Sequence, residues 1–142
     1  MYYNEQESLK RIEKVKQLLI RKNLDYCFIY YDELNIANGW YITGWCPQFE
    51  SGAVLISKTG KAILLGGPES EPFAKQSSAV KDTRNFTVFM VPDEEYPNAK
   101  IIGFKELFEE LKHIHSLNRL GIVGLEQLPL KVYKNIKEGF NN

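Results

Sequence analysis

The strongest constraint on the fold is the run Tyr26–Tyr31, which consists of large apolar and aromatic residues and one cysteine. A strand with one face in water alternates apolar and polar side chains, because successive side chains point to opposite faces. This run does not alternate, and it therefore predicts a central strand covered on both faces. Covering both faces takes a layer on each side, so we expect a three-layer domain.

A helix is predicted ahead of this strand, over about Glu5–Arg21. Its apolar residues recur at steps of three and four and share one stripe, namely Leu9, Ile12, Val15 and Leu19. Asn4 followed by Glu7 fits a capping box at the helix start. Asn23 can close the helix end in a left-handed conformation.

The remaining elements follow from apolar spacing and turn residues. We predict strands at 53–56, 62–65, 87–91 and 120–123, helices at 68–76, 104–114 and 130–140, and a loop at 32–49. Gly60 is expected to supply the positive φ of the turn between the first two of these strands. The alternation of helices and strands predicts an α/β fold with three α/β/α layers and a mixed sheet that includes one β-hairpin.

Composition excludes several classes of protein. The chain has 142 residues and is 44% hydrophobic, which suits one domain with a substantial core. Its 18 basic and 18 acidic residues balance, and this disfavours a nucleic-acid-binding surface. No run of about 18 apolar residues is available to span a membrane. The start of the chain does not resemble a secretion signal, and two cysteines are too few for a disulfide scaffold, so a cytoplasmic location is expected.

The reactive side chains form no recognisable catalytic centre. His113 and His115 lie two positions apart on a predicted helix, roughly 200° apart around its axis, and cannot share a metal ion. We expect one histidine to be partly buried and the other to be solvated. Cys27, inside the predicted strand, is interpreted as a small buried hydrophobe. Cys46 is expected to be the more exposed thiol, and no general base stands beside it in the sequence.

One segment could offer backbone amides to an anion. Residues 66–68, Gly-Gly-Pro, lie between a predicted strand and a predicted helix. Glu69 and Glu71 then stand where a phosphate would lie and would repel it. Phosphate binding is therefore disfavoured at this position.

The predicted loop 32–49 contains both tryptophans, Trp40 and Trp45, with Tyr41 and Phe49 beside them. Large aromatic side chains in a loop at a strand end are typical of binding surfaces and pocket rims. The alternative is that Trp40, Tyr41 and Ile42 simply cap the core, and each interpretation can hold for different residues.

Several motifs, taken in order, resemble the N-terminal domain of the creatinase, prolidase and Xaa-Pro aminopeptidase family. Residues 21–25, Arg-Lys-Asn-Leu-Asp, stand where that family has Lys/Gly-Leu-Asp before its first strand. Residues 38–45 match the family's Asn-x-x-Tyr-Leu-Thr-Gly-Phe, with Ile42 and Trp45 in place of Leu and Phe. The hairpin, residues 119–124 and a following Leu-Pro pair keep the family order, so the resemblance covers roughly residues 8–140.

The resemblance implies a ribonuclease-H-like three-layer fold and a chain, residues 1–142, that forms one creatinase/prolidase N-terminal domain. Family enzymes carry their catalytic centre in a further "pita-bread" domain, where two Asp, one His and two Glu hold two divalent metal ions. That domain is expected to be absent from this chain. His113 and His115 match none of its motifs, so we assign no catalytic residue, metal ligand or cofactor here.

By the same resemblance, the full-length parent is expected to be a metal-dependent Xaa-Pro dipeptidase or aminopeptidase, a cytoplasmic hydrolase of short proline-containing peptides. Creatinase, an amidinohydrolase, keeps a creatine-like substrate open. In the family this domain helps to pair subunits into a homodimer and sends a loop toward the neighbouring active site. The candidates for this rim or interface are Asn38, Trp40, Tyr41 and Trp45.

Two alternatives remain open at this point. The chain could be a stand-alone module with the same fold that binds a small ligand or a protein. It could also be an enzyme in its own right, although that would need a site that its sequence does not reveal.

Overall fold

The computed structural model describes residues 4–141. The strands are β1 Tyr26–Tyr31, β2 Gly52–Ser57, β3 Ala62–Gly66, β4 Thr83–Phe86, β5 Ile101–Ile102 and β6 Leu120–Val123. The helices are α1 Glu5–Arg21, α2 Ala37–Thr43, α3 Glu71–Ser77, α4 Phe104–Ile114 and α5 Leu130–Phe140, with short 3-10 helices at Thr87–Phe89 and Leu125–Gln127. Together the strands form one sheet in the order β5-β4-β3-β2-β1-β6.

The sheet is covered on both faces, and this confirms the predicted three-layer α/β/α arrangement. Alternate residues of β1 enter two separate cores, since Phe28 packs on one side of the sheet and Ile29 on the other. The first core is closed by α4 and α5, with Phe104, Leu107, Phe108, Val132 and Ile136. The second core is closed by helices α1 to α3, with Ile12, Leu19, Ile42 and Ala74.

The sheet is mixed, as predicted, because of the hairpin formed by β2 and β3. Strand β2 is antiparallel to both of its neighbours, β1 and β3. The other pairs, β1 with β6, β3 with β4 and β4 with β5, are parallel. All strands except β2 therefore point the same way and end at one edge of the sheet.

The hairpin turn differs from its prediction. Among the described glycines only Gly44 and Gly124 have a positive φ, so the positive φ expected of Gly60 was wrong. The Ser57 hydroxyl instead accepts hydrogen bonds from the backbone N–H groups of Thr59 (3.2 Å) and Gly60 (3.0 Å). A side chain that satisfies the turn amides makes a left-handed glycine unnecessary here.

The strand predicted at 87–91 was also misplaced. The structure has β4 at Thr83–Phe86, followed at once by a 3-10 turn. The polar residues Thr83 and Asn85 are accommodated in the strand because both side chains donate hydrogen bonds of 2.6 Å to the Glu71 carboxylate. Glu71 itself begins α3, three residues after the predicted start at Pro68.

Asn4 and Asn23 mark the ends of α1 as predicted, whereas the Glu7 N–H bonds the Asn4 backbone carbonyl (3.0 Å) and not the side chain that the predicted capping box would use. Asn4 is its N-cap and accepts a hydrogen bond of 2.9 Å from the Gln6 N–H. Asn23 adopts a left-handed conformation with φ of 54°. Glu7 forms an ion pair of 3.4 Å with Arg11, one turn further along the helix.

The stripe of α4 is buried through about its first two turns and exposed at its end. Phe104, Leu107, Phe108 and Leu111 all lie in the core. Ile114, which continues the stripe in the sequence, is 60% exposed. The two histidines divide as expected, since His113 is exposed and His115 is half-buried.

Candidate functional site

The carboxyl ends of β1, β3, β4 and β6 lie at one edge of the sheet, which we call the carboxyl edge. Residues 32–51 follow β1 at this edge, residues 67–70 follow β3, and residues 124–129 follow β6. In open α/β sheets ligands bind outside the carboxyl ends of the strands. The aromatic segment singled out in the sequence therefore occupies the edge at which such folds place their sites.

The segment is not wholly a loop as predicted, because it contains the short helix α2, Ala37–Thr43. Gly39 lies directly against the Tyr31 ring, and an added Cβ would overlap that ring. Gly44 ends the helix in a left-handed conformation with φ of 66°. The Thr43 hydroxyl donates to the Gly39 carbonyl (2.9 Å) and accepts from the Trp45 N–H (3.1 Å). The Gly, Thr and Gly positions of this motif thus shape the backbone.

The aromatic residues of the segment divide between core and surface. Ile42 is buried in the core beneath α1 and α2, and Trp45 is half-buried and packs against the same core. Trp40 and Tyr41 are 36% and 48% exposed, and Asn38 is exposed as well. Ile42 and part of Trp45 therefore belong to the core, whereas Asn38, Trp40 and Tyr41 remain at the surface.

Tyr41 is held in place by contacts with α1. The Arg11 guanidinium lies 4.2 Å from the centre of the Tyr41 ring, within the range of a cation–π contact. Its Nη1 atom also donates a 2.8 Å hydrogen bond to the Tyr41 carbonyl. The Ser8 hydroxyl donates to the carbonyl of the next residue, Ile42. The exposed aromatic side chain therefore stands on a backbone that is anchored to the long helix.

The start of the segment is ordered by Asp32. Its carboxylate accepts hydrogen bonds from the Tyr30 hydroxyl (2.8 Å) and from the backbone N–H groups of Leu34 (2.9 Å) and Asn35 (2.8 Å). Burial acts to raise the pKa of Asp32, but these hydrogen bonds outweigh it, and the pKa lies below its ordinary value. The carboxylate is thus a charged anchor of the turn.

Three apolar side chains at the carboxyl edge, which the sequence analysis did not single out as a group, are strongly exposed. Leu34, Phe49 and Leu125 are 92%, 79% and 61% exposed, and we call them the apolar edge residues. The Phe49 N–H donates to the carboxylate of Glu33, the residue before Leu34 (3.3 Å). Asn38 reaches the segment of Leu125, since its side-chain nitrogen would be 3.5 Å from a Cβ at Gly124. Exposed apolar groups of this size mark interaction surfaces.

The amides after β3 are already occupied by a carboxylate from the chain itself. Buried Glu50 accepts hydrogen bonds from the backbone N–H groups of Ser70 (2.9 Å) and Glu69 (3.3 Å). An added Cβ at Gly67 would overlap this carboxylate, so glycine is needed there. Burial and the Glu94 and Glu50 carboxylates raise the pKa of Glu69, in keeping with an electronegative surrounding that disfavours phosphate.

The reactive side chains do not converge on a catalytic constellation. Burial raises the pKa of the Cys27 thiol to about 12, and burial and the carboxylates of Glu33 and Asp32 raise the pKa of half-buried Cys46. Both thiols are therefore protonated near neutral pH. Over residues 4–141 no cluster of three or more His, Cys, Asp and Glu side chains is arranged to hold a metal ion.

No helix in the described part of the chain is both long and apolar enough to cross a membrane.

Comparison with known proteins adds the family. The chain matches the Creatinase/Prolidase N-terminal domain model over residues 11–142. No curated protein sequence matches it.

Solved structures show the same fold at low identity. An Xaa-Pro aminopeptidase from Streptococcus pyogenes is similar with a TM-score of 0.67 and 17% identity, over 96% of this chain and 88% of that one. The prolidase from Pyrococcus horikoshii OT3 gives a TM-score of 0.63 and 20% identity over 93% of this chain, and the Xaa-Pro dipeptidase from Bacillus anthracis gives 0.63 and 17% over 93%. The chain spans 30% of the prolidase and 31% of the dipeptidase.

The order of the elements, the carboxyl-edge motif at residues 38–45 and the match over residues 11–142 agree with one another. The chain therefore belongs to the creatinase/prolidase N-terminal domain family.

Proposed function

We propose that this chain is the non-catalytic N-terminal domain of a metal-dependent Xaa-Pro dipeptidase or aminopeptidase, and that catalysis belongs to a further domain outside residues 1–142. In this proposal the carboxyl edge does two things. The apolar edge residues Leu34, Phe49 and Leu125 pair subunits, and the exposed face of α2 lines the rim of a peptide site. The full-length protein acts on short proline-containing peptides as a homodimer.

One observation carries the proposal: Trp40 and Tyr41 stay exposed on a backbone that is firmly held. Leaving part of a large aromatic side chain in water forgoes part of the roughly 1.5–3 kcal/mol that full burial of such a side chain contributes. Here Arg11 and Ser8 of α1 fix the backbone under them, so their exposure is a property of the fold and not of a loose loop. Rigid aromatic side chains around a concave site are how proteins recognise small peptides.

Asn38 and Trp45 support the rim in different ways. Asn38 is exposed beside Gly124 and presents its amide at the start of α2, where it can bond a peptide backbone group. Trp45 is half-buried, so only part of its ring faces outward and the rest packs against the core. We therefore assign contact with substrate first to Trp40 and Tyr41, then to Asn38, and a supporting position to Trp45.

The test begins with the reading frame that follows codon 142. The complete gene product is expressed and assayed with a leucyl-proline dipeptide, with leucyl-alanine as the comparison and Mn²⁺ or Co²⁺ supplied. We expect metal-dependent hydrolysis that prefers the proline peptide. Trp40→Ala should lower kcat/KM by about fivefold or more, the effect of losing one interface aromatic side chain.

Ile20→Ala is the matched control, because Ile20 is another exposed large apolar residue and lies near the opposite end of α1. Its kcat/KM should equal that of the wild type. A stop codon directly after residue 142, or a gene product without hydrolase activity, would contradict the proposal and favour a stand-alone binding module. Equal activity of Trp40→Ala and wild type would remove the rim assignment alone.

A further inference from the structure

A concave site lies at the opposite end of the sheet from the carboxyl edge. It is a cleft of about 510 Å³ between the β2–β3 hairpin turn and the C-terminal end of α4. Lys61 and Gly60 of the turn form one wall, and Ile114, the last residue of α4, and His115, its C-cap, form the other. We call it the amino-end cleft, because β1, β3 and β4 begin beside it. Its volume is in the range of pockets that hold small ligands.

The floor of the amino-end cleft is part of the protein core. Tyr26, Ile63 and Leu111 line it, and each of them is almost fully buried. These side chains come from β1, β3 and α4, so three elements hold the floor in place. A ligand would find an apolar surface that is already formed and would lose little affinity to reorganisation of the site.

The apolar wall of the cleft is partly exposed to water, and a bound ligand would cover the exposed part. Ile114 continues the buried stripe of α4 but is 60% exposed at the mouth of the cleft. His115 is half-buried, and its Nε2 atom would be 3.5 Å from a Cβ at Gly60, so the ring lies across the hairpin turn. An apolar group entering the cleft would cover Ile114 and remove its surface from water.

The charges of the cleft favour an anion. The Arg84 guanidinium is already bound by two carboxylates, those of Asp82 and of Glu110 (2.9 Å). Lys16 of α1 and Lys61 of the turn also line the cleft, and within residues 4–141 neither of them forms an ion pair. Two lysines that form no ion pair among the described residues therefore line a cleft whose floor is apolar.

We propose that the amino-end cleft binds a small organic monoanion, a carboxylate attached to an aromatic or branched aliphatic body. The carboxylate lies between the Lys16 and Lys61 ammonium groups, and the body packs on Ile63 and Ile114. This site shares no residue with the carboxyl edge, so it stands independently of the function proposed above.

The test is a titration of the ¹⁵N-labelled chain followed by NMR, with phenylacetate as the probe. We expect saturable shifts at the amides of Gly60, Lys61 and His115, with a Kd on the order of 1–10 mM, as a ligand of this size allows. The cationic analogue 2-phenylethylamine should bind at least about fivefold more weakly, because the two lysines repel it.

Two variants with matched controls decide the assignment. Lys61→Gln should weaken phenylacetate binding about threefold to fivefold, whereas Lys134→Gln, an exposed lysine of α5, should not change it. Ile114→Glu should abolish binding, whereas Leu130→Glu, at a position of similar exposure, should leave it intact. The same spectra show whether each variant is folded.

Shifts that do not saturate, or that lie away from the hairpin turn and the end of α4, would overturn the proposal. Equal affinity for phenylacetate and 2-phenylethylamine would do the same.

Discussion

At the scale of single residues, Asp25 joins the most distant parts of the chain. Its buried carboxylate bonds the Lys58 ammonium (2.7 Å) and accepts from the backbone N–H groups of Asn118 (2.7 Å) and Arg119 (3.0 Å). It therefore ties the start of β1 to the hairpin and to the segment before β6. Burial acts to raise the pKa of Asp25, but these donors outweigh it and lower the pKa to about 2.

We predict that Asp25→Asn lowers the free energy of unfolding by about 2 kcal/mol at pH 7, the linkage value of a pKa depressed by nearly two units. Because the folded-state pKa is depressed, this stabilisation is present above the unfolded-state pKa of about 4 and is lost as the pH falls toward 2. Urea unfolding of both proteins at several pH values measures it. A difference between them that stays constant from pH 7 to pH 2 would contradict this account.

At Gly39, one contact explains why the residue has no side chain larger than a hydrogen atom. It packs on the buried Tyr31 ring, where a Cβ would overlap the ring atoms. We predict that Gly39→Ala destabilises the protein by about 1–3 kcal/mol through overpacking.

Gly103→Ala is the control, because a Cβ at Gly103 meets no atom within 4 Å. Its thermal unfolding should stay close to that of the wild type, while Gly39→Ala should melt earlier. If both variants melt together, Tyr31 has room to move and the close packing under α2 does not matter to stability.

At the scale of elements, α3 is attached to the sheet through acidic side chains. Glu50 binds the amides just ahead of the helix, and Glu71 in its first turn accepts from Thr83 and Asn85 of β4. A negative charge near a helix N-terminus is favourable, because the free N–H groups there carry partial positive charge. The free N–H groups in the turn after β3 thus favour an anion, and the Glu50 carboxylate of the chain itself is that anion.

We predict that Glu50→Gln costs about 1–3 kcal/mol of unfolding free energy, because a buried charge-assisted pair of hydrogen bonds is replaced by a poorer match. Hydrogen exchange at the Glu69 and Ser70 amides should become faster in this variant. Glu95→Gln, an exposed neighbour in the 93–97 segment, should change neither quantity. Unchanged exchange at Ser70 in Glu50→Gln would show that the carboxylate does not hold this turn.

At the scale of the whole molecule, the two ends of the sheet differ in character. The carboxyl edge exposes apolar and aromatic side chains together with acidic groups such as Glu33 and Glu94. The opposite end has the amino-end cleft, which is lined by Lys16 and Lys61. This difference between the two ends follows from the strand directions. All strands except β2 point the same way, so most segments that follow a strand lie at the carboxyl edge.

We predict that replacing Leu34 and Phe49 by Asp reduces self-association of the chain without lowering its melting temperature, because both side chains are exposed and contribute little to the core. Light scattering over a range of protein concentrations measures the change. Ile20→Asp is the control, because Ile20 is also exposed but lies near the C-terminal end of α1. This variant should associate as the wild type does. Unaltered association in the Leu34 and Phe49 variant would show that subunits do not pair through this edge.

Much of the fold could be predicted from local patterns. The unbroken apolar run of β1, the extent of α1 and the cap at Asn4 required only neighbours in the sequence, and the structure agrees with each. The predicted stripe of α1 is confirmed only in part, because Ile12 and Leu19 are buried whereas Leu9 is 56% exposed. The errors in predicting secondary structure arose where a side chain outside the local pattern determines the backbone conformation. β4 is polar, and Thr83 and Asn85 are suited to it only because Glu71 of α3 accepts their hydrogen bonds. The Gly60 turn is closed by the Ser57 hydroxyl, which a glycine pattern does not reveal.

The candidate site shows the same division. The aromatic segment, its Gly and Thr positions and the likeness to a family could be read from adjacent residues. Packing was needed to establish that Ile42 is buried while Trp40 is exposed, that Asn38 lies beside Gly124, and that Glu50 binds the amides after β3. Exposure and pairing depend on which surfaces meet when the sheet forms, and residues far apart in the chain set those contacts.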